Sequence, residues 1–224
     1  TDLGTLDVDA LGRFFPYADE DAILRNCVEP DNASYNATFT YPEGGAISYV
    51  NALAKGVGDD RIALSEPLVS LDLRTKRART PEQEIAFEHL VSSTPFPKLL
   101  SLAKLSHNAS TYSWNEVLVF NLGFDRKGPS GVHWAYFPQR ELSFYRVGFY
   151  DNIFGAERMS LYVEIGLPAG TRLDAAAIDA QRARVLADLA RTGIVDGHVL
   201  VADHHVVMDF VYVHVTRASL ADIT

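Results

Sequence analysis

The chain has 224 residues, 47% hydrophobic and 22% charged, enough apolar material for one large domain or two small ones and too much for a disordered segment. Its 20 lysines and arginines stand against 29 aspartates and glutamates, a net charge of −9, and no basic stretch exists to neutralise phosphates, which excludes nucleic-acid binding. The single cysteine, Cys27, excludes an intrachain disulfide and a cysteine-based zinc site, and no apolar run approaches the roughly 20 residues needed to cross a bilayer. With no signal-like segment at its start, a reducing, cytoplasmic setting is the expectation. Thr1 in place of an initiating Met fits a processed chain or a piece of a longer one.

Residues 1–30 space Leu6, Leu11, Phe14, Phe15, Ile23 and Leu24 among acids, which predicts one or two short helices. Residues 46–55 predict another, with Ile47, Val50, Leu53 and Ala54 on one face, Gly44-Gly45 at its start and Gly56 and Gly58 at its end. The period then shortens. Residues 61–64, 67–73 and 78–80 read as short strands and 87–92 as a further buried strand. Thr94-Pro95-Phe96-Pro97 is a stiff turn into a short helix over 98–104.

Residues 110–166 are rich in strands, predicted at 114–124, 132–137, 142–149 and 159–166, and the short loops between them favour antiparallel pairing. Residues 174–192 predict the clearest helix, with Ile178, Val185, Leu186 and Leu189 as its stripe, Asp174 as its cap and Gly193 as its stop. Residues 199–202 and 206–215 read as two closing strands. No repeat or linker marks a boundary. The expected class is α+β, a large, mostly antiparallel sheet with flanking helices.

Three constellations bear on chemistry. Gly44-Gly45 lacks the G-x-G-x-x-G spacing of a dinucleotide fingerprint, so it is either a permissive turn or a helix start offering N–H groups to an anion or a flavin edge. Asp203-His204-His205, with His198 nearby, puts neighbouring histidines on opposite faces of a strand, so no metal site is expected. Residues 133–150, HWAYFPQRELSFYRVGFY, surround Arg140 and Arg146 with aromatics. In a regular strand Phe144 and Arg146 share one face while Tyr145 and Val147 share the other. An arginine on an aromatic sheet face suits a bidentate grip on phosphate or carboxylate; the alternative is a surface arginine beside a sheet core. No Ser/His/Asp or Cys/His motif is present, Cys27 among acids is inert, and no side chain is assigned as catalytic.

These segments, in this order, resemble the FAD-dependent amine-oxidase-type superfamily, which includes protoporphyrinogen oxidases and UDP-galactopyranose mutases. Residues 39–54, FTYPEGGAISYVNALA, resemble its Tyr-Pro-x-Gly-Gly stretch, and 67–72, PLVSLD, its next strand; 88–95, EHLVSSTP, resemble the strand that leads into the substrate domain. His133-Trp-Ala-Tyr-Phe-Pro138 with Ser143-Phe-Tyr-Arg146 is most similar to the mutase branch. The resemblance implies FAD near Gly44, Gly45 and Val69, and a small anionic substrate, a nucleotide sugar in the mutase version, near Arg146, Trp134, Tyr136 and Tyr145. It implies three regions: a helical segment over 1–38, a remnant of the FAD domain over 39–95, and a substrate-binding domain over 96–224. The strand–GxGxxG–helix and the Gly/Arg-rich C-terminal piece of the superfamily are missing from these residues. The chain therefore reads as the middle of a longer flavoprotein and is not expected to hold FAD tightly or turn over alone. The alternative expectation is a flavin-free, stand-alone module that binds an anionic small molecule; a plain structural or interaction domain is the third.

Overall fold

In the computed structural model, which describes residues 3–7, 9, 19–28 and 39–223, the chain folds as two units, Thr1–Tyr112 with Val215–Thr224 and Ser113–His214. In the first unit a 3-10 turn at Leu3–Thr5 precedes α1 (Glu20–Val28); the helical positions expected at Leu11, Phe14 and Phe15 lie outside the described residues. Helix α2 (Ala46–Val57) starts after Gly45, whose φ of +81° and N–H bond to the Pro42 carbonyl (2.9 Å) make a tight turn. Its apolar residues Ile47, Val50 and Leu53 are exposed.

Residues 61–64 are not a strand, contrary to expectation. Asp59–Arg61 instead closes a 3-10 turn, the Arg61 N–H donating to the Gly58 carbonyl at 3.0 Å. Strands β1 (Ser70–Asp72), β2 (Arg77–Arg79) and β3 (Glu84–Ala86) then form an antiparallel meander in that order, with Leu71 and Ala78 buried. The Asp72 carboxylate accepts the N–H groups of Arg74 and Thr75, each at 2.9 Å, and so shapes the first hairpin. The buried strand expected at 87–92 is absent. The ladder pairs Arg77 with Ala86 and β2 begins at Arg77, so little edge remains to pair beyond Phe87, and Val91 is fully exposed. Helix α3 (Phe96–Leu102) follows Pro95.

The second unit comprises β4 (Ser113–Phe124), β5 (Trp134–Tyr136), β6 (Arg146–Phe149), α4 (Tyr150–Phe154), β7 (Ser160–Pro168), α5 (Ala175–Arg191) and β8 (Leu200–His214). Its strands form one antiparallel sheet in the order β5-β6-β7-β4-β8. Paired residues in such a sheet share a face, so the registers define the rows. The row Ala135–Val147–Val163–Phe120 is apolar, and Val147, Val163 and Phe120 in it are fully buried. Val185 and Leu189 of α5 close the core over this face, as their stripe predicts. Asp174 caps α5 by accepting the Ala177 N–H at 2.8 Å.

Two strand expectations change. Strand β6 starts only at Arg146, because residues 142–145 bend. The Asp188 carboxylate of α5 takes the Ser143 N–H at 2.7 Å, and Phe144 turns into the core, edge-on to Phe137 at 5.2 Å. Phe144 and Arg146 therefore lie on opposite sides of the sheet. The two closing strands are one, β8, an edge strand exposed along most of its length. An edge tolerates the polar Asp203-His204-His205 run in mid-strand. A bulge opposite Asn115–Val117 puts Phe210 at φ +52°, stacked on Trp114 at 4.0 Å, with Asp209 accepting from both the Trp114 indole (2.7 Å) and the Phe210 N–H (2.8 Å).

Burial pulls the Asp188 carboxyl up, but the Ser143 hydrogen bonds and the charges of Arg191 and Arg184 outweigh it and hold its pKa below the usual carboxylate value. A carboxylate depressed on folding contributes stability above its unfolded pKa, and that contribution is lost as pH falls through the folded value. Asp188→Asn is expected to lower stability by about 1 kcal/mol at neutral pH and to flatten part of the acid limb, as urea unfolding across pH measures.

The chain then returns to the first unit as α6 (Arg217–Ile223). Thr216 and Ser219 cap it reciprocally, the Ser219 N–H donating to Thr216 Oγ1 at 3.0 Å and the Thr216 N–H to Ser219 Oγ at 2.9 Å. The Tyr112 hydroxyl donates to Asp222 at 2.6 Å, which pushes its pKa up to about 12.

Candidate functional site

The face of the five-stranded sheet opposite the apolar core carries the chemistry. One row reads Tyr136–Arg146–Glu164–Val119, and the next Trp134–Gly148–Tyr162–Asn121. The bend before β6 also brings Tyr145 to Glu164: its N–H donates to the Glu164 carbonyl at 3.1 Å and its hydroxyl to Glu164 Oε2. Arg146, Tyr136 and Tyr145 thus come together as the sequence predicts, and Trp134 stands in the adjacent row. Glu164 and Tyr162 complete the cluster and were not foreseen. A lone glutamate in the apolar run Leu161–Ile165 was the available signal, because a carboxylate buried mid-strand requires a partner.

Arg146 is held by one carboxylate and two aromatic rings. Nη2 donates to Glu164 Oε1, Nη1 makes a long 3.3 Å bond to the Tyr136 hydroxyl, and the guanidinium carbon lies 5.8 Å from the Tyr136 ring centre and 5.7 Å from that of Tyr162. Its Nε is buried without a hydrogen-bond partner. Burial opposes the charge on Arg146, but Glu164 and the Tyr136 hydroxyl hold its pKa above the ordinary value. Burial and the Glu164 hydrogen bond together raise Tyr145 far above a free phenol, so its hydroxyl keeps its proton at any working pH. Tyr145 also stands edge-on to Tyr212 at 6.5 Å.

The resemblance implied a small anionic substrate near Arg146; in the structure a carboxylate, Glu164, already accompanies it. Unit charges about 4 Å apart interact by about 4 kcal/mol at an effective dielectric of about 20. An anion brought to Arg146 therefore meets a repulsion from Glu164 of the same order as the attraction.

Gly148 explains how Tyr162 lies across the sheet. A Cβ there would sit 1.9 Å from the Tyr162 ring, so only glycine leaves room for the ring beside Arg146. Gly148→Ala is expected to destabilise by about 1–3 kcal/mol and to displace Tyr162. Thermal unfolding and the aromatic NMR signals of Tyr162 report the two effects.

The cofactor candidates lie in the first unit. Nothing lies within 4 Å of where a Cβ on Gly45 would point, and the Val69 side chain is half exposed. The Gly45 N–H is spent on the Pro42 carbonyl and is not itself free for an anion. An open groove of about 860 Å³ in the same unit is lined by Arg74, Arg77, Arg79 and Lys104 with Asp72 and Glu84, and holds none of the sequence-predicted site residues. Among the described residues no group of three or more His, Cys, Asp or Glu side chains could hold a metal ion, and no helix is long and apolar enough to cross a membrane.

Comparison with solved structures places this fold. The chain is similar to a reduced UDP-galactopyranose mutase, with a TM-score of 0.80 at 17% identity over 97% of this chain and 51% of that one. The chain has the fold of part of a UDP-galactopyranose mutase. It is also similar to a candidate protoporphyrinogen oxidase from Exiguobacterium sp. 255-15 (TM-score 0.61, 15% identity, 77% of this chain and 40% of that one). A third similar structure is protein PF1083 of Pyrococcus furiosus (0.54, 12%, 73% and 43%). The resemblance to the amine-oxidase-type superfamily, drawn from short motifs, is thus borne out in the fold, as is the α+β class. The chain spans about half the length of the mutase. No protein-family model matches the sequence, and no curated protein does.

Proposed function

We propose that this chain is the substrate-binding portion, with an adjoining part of the FAD domain, of an FAD-dependent oxidoreductase or nucleotide-sugar mutase-like enzyme. The observation that carries this reading is the Tyr136–Arg146–Glu164 row beside Trp134 and Tyr162: a rigid, aromatic, polar face on a sheet whose other face is sealed by core. Fold likeness alone does not fix a function, and the mutase likeness supplies only the class of substrate to try first, a nucleotide sugar.

FAD, when bound, supplies the redox or nucleophilic chemistry, which accords with the lack of an assigned catalytic side chain. Gly44, Gly45 and Val69 are the residues of this chain that would stand against it. The chain's other contributions are positional. Glu164 and the two tyrosine rings hold the Arg146 guanidinium in one plane; Tyr136 and Tyr162 present ring faces for stacking; Tyr145 Oη keeps its proton and donates it to Glu164, so that carboxylate is oriented before any ligand arrives.

The test uses the full-length gene product. It is expected to purify with bound flavin, and Arg146→Lys, which keeps the charge but loses the planar fork, is expected to weaken substrate binding about tenfold with flavin content unchanged. A full-length product without flavin, or unchanged substrate affinity in Arg146→Lys, would sink the proposal.

A further inference from the structure

We infer that the open groove of the first unit binds a small phosphate-bearing molecule with two or more negative charges, at a site separate from the tyrosine–arginine face and independent of how that face is read. The groove, about 860 Å³, has the size of a small-ligand site and lies wholly within that unit. In a chain of net charge −9 it is lined by four cations, Arg74, Arg77, Arg79 and Lys104, and by two carboxylates, Asp72 and Glu84. The carboxylates are already committed. Asp72 accepts the backbone N–H groups of Arg74 and Thr75, each at 2.9 Å, and Glu84 reaches Arg77 only at 3.8 Å. Among the described residues the side chains of Arg79 and Lys104 make no hydrogen bond or ion pair.

The backbone puts these cations there in two ways. Alternation along β2 buries Ala78 and turns Arg77 and Arg79 to the same exposed face. Helix α3 closes with the Leu105 N–H donating to the Leu100 carbonyl (2.9 Å) and the Lys104 N–H to that of Ser101 (3.1 Å), a turn whose left-handed position usually holds glycine. Here that position holds Lys104, at φ +55°. A long side chain kept where its backbone is strained points to a use for the side chain. Guanidinium forks and an ammonium on one concave wall match the several oxygens of a phosphate. The cations outnumber the carboxylates by two, which favours a ligand of at least two negative charges, and the acidic chain as a whole repels a nucleic acid.

The probe is inorganic pyrophosphate, titrated by NMR into the labelled chain at constant ionic strength, so that screening stays fixed. Saturable shifts are expected at Arg74, Arg77, Arg79 and Lys104, read separately from any at Arg146. Arg79→Gln removes an exposed charge, so it is expected to leave the fold intact and to weaken pyrophosphate at the groove about tenfold. Lys104→Gly is expected to weaken it as well while raising the unfolding temperature, because glycine relieves the left-handed position; a purely structural lysine would give no loss of binding. No saturable shift at the groove, or an affinity unchanged in both variants, overturns the site and leaves the reading of the tyrosine–arginine face untouched. In the full-length gene product loaded with flavin the groove shifts are expected to persist. Their loss there would assign the groove to the cofactor's own phosphates and overturn a separate site.

Discussion

Arg146→Ala is expected to lower the stability of the chain by about 3 kcal/mol. The reason is less the loss of attraction than what remains. Glu164, with its side chain 8% exposed, would be left as a buried carboxylate with only the Tyr145 hydroxyl to satisfy it. The Tyr136 and Tyr162 rings would also lose the cation between them. A surface ion pair would give under about 1 kcal/mol for the same substitution, so urea unfolding separates the two descriptions. Replacing both partners sharpens the point. Arg146→Met with Glu164→Leu is expected to recover most of the loss, because no charge is then left unpaired, while abolishing any ligand-induced shift on this face. A double variant as unstable as Arg146→Ala would mean the pair is not the cause.

Phe120→Ala is expected to destabilise by about 3–5 kcal/mol. Phe120 is fully buried at the centre of the apolar row, flanked by Val163 and packed within the cluster that includes Val185 and Leu189 of α5. Nothing nearby can collapse into so central a void, and the lost area adds to the cavity term. Val206→Ala, one residue away across the ladder on the exposed edge strand, is expected to stay within about 0.5 kcal/mol. Comparable losses at the two positions would contradict the assignment of core and solvent faces.

Much of the fold was legible because period and punctuation agreed. The α5 stripe, its Asp174 cap and the apolar runs of β4 and β7 each gave a local signal that packing reinforced. The misreadings fell where a non-local contact overrode the local pattern. Residues 142–145 look like strand, but Asp188, 45 positions away, takes the Ser143 N–H and bends them. That one bond moves Phe144 into the core and Tyr145 to Glu164, which no count along the chain reveals. The 87–92 run is apolar enough for a strand, yet β2 is too short to pair with it. Edge position, invisible in sequence, lets β8 run unbroken through Asp203-His204-His205.

The site was half legible for the same reason. Arg146 and its aromatic neighbours lie in one segment, so composition exposed them. Glu164 and Tyr162 arrive from β7, and their meeting with Arg146 depends on register, Arg146 opposite Glu164 and Gly148 opposite Tyr162. The partner that compensates the arginine is therefore the residue that sequence alone could not supply.

On the proposed function, ligand is expected to bind on the Tyr136–Arg146–Glu164 row. The most direct test is an NMR titration of the isotopically labelled chain with UDP-galactose, reading backbone and side-chain shifts residue by residue. Saturable shifts are expected to cluster on Tyr136, Tyr145, Arg146, Gly148, Tyr162 and Glu164, with the apolar row of Val147, Val163 and Phe120 undisturbed. Shifts confined to residues away from that row and its neighbour, or no saturable shifts at all, would contradict it.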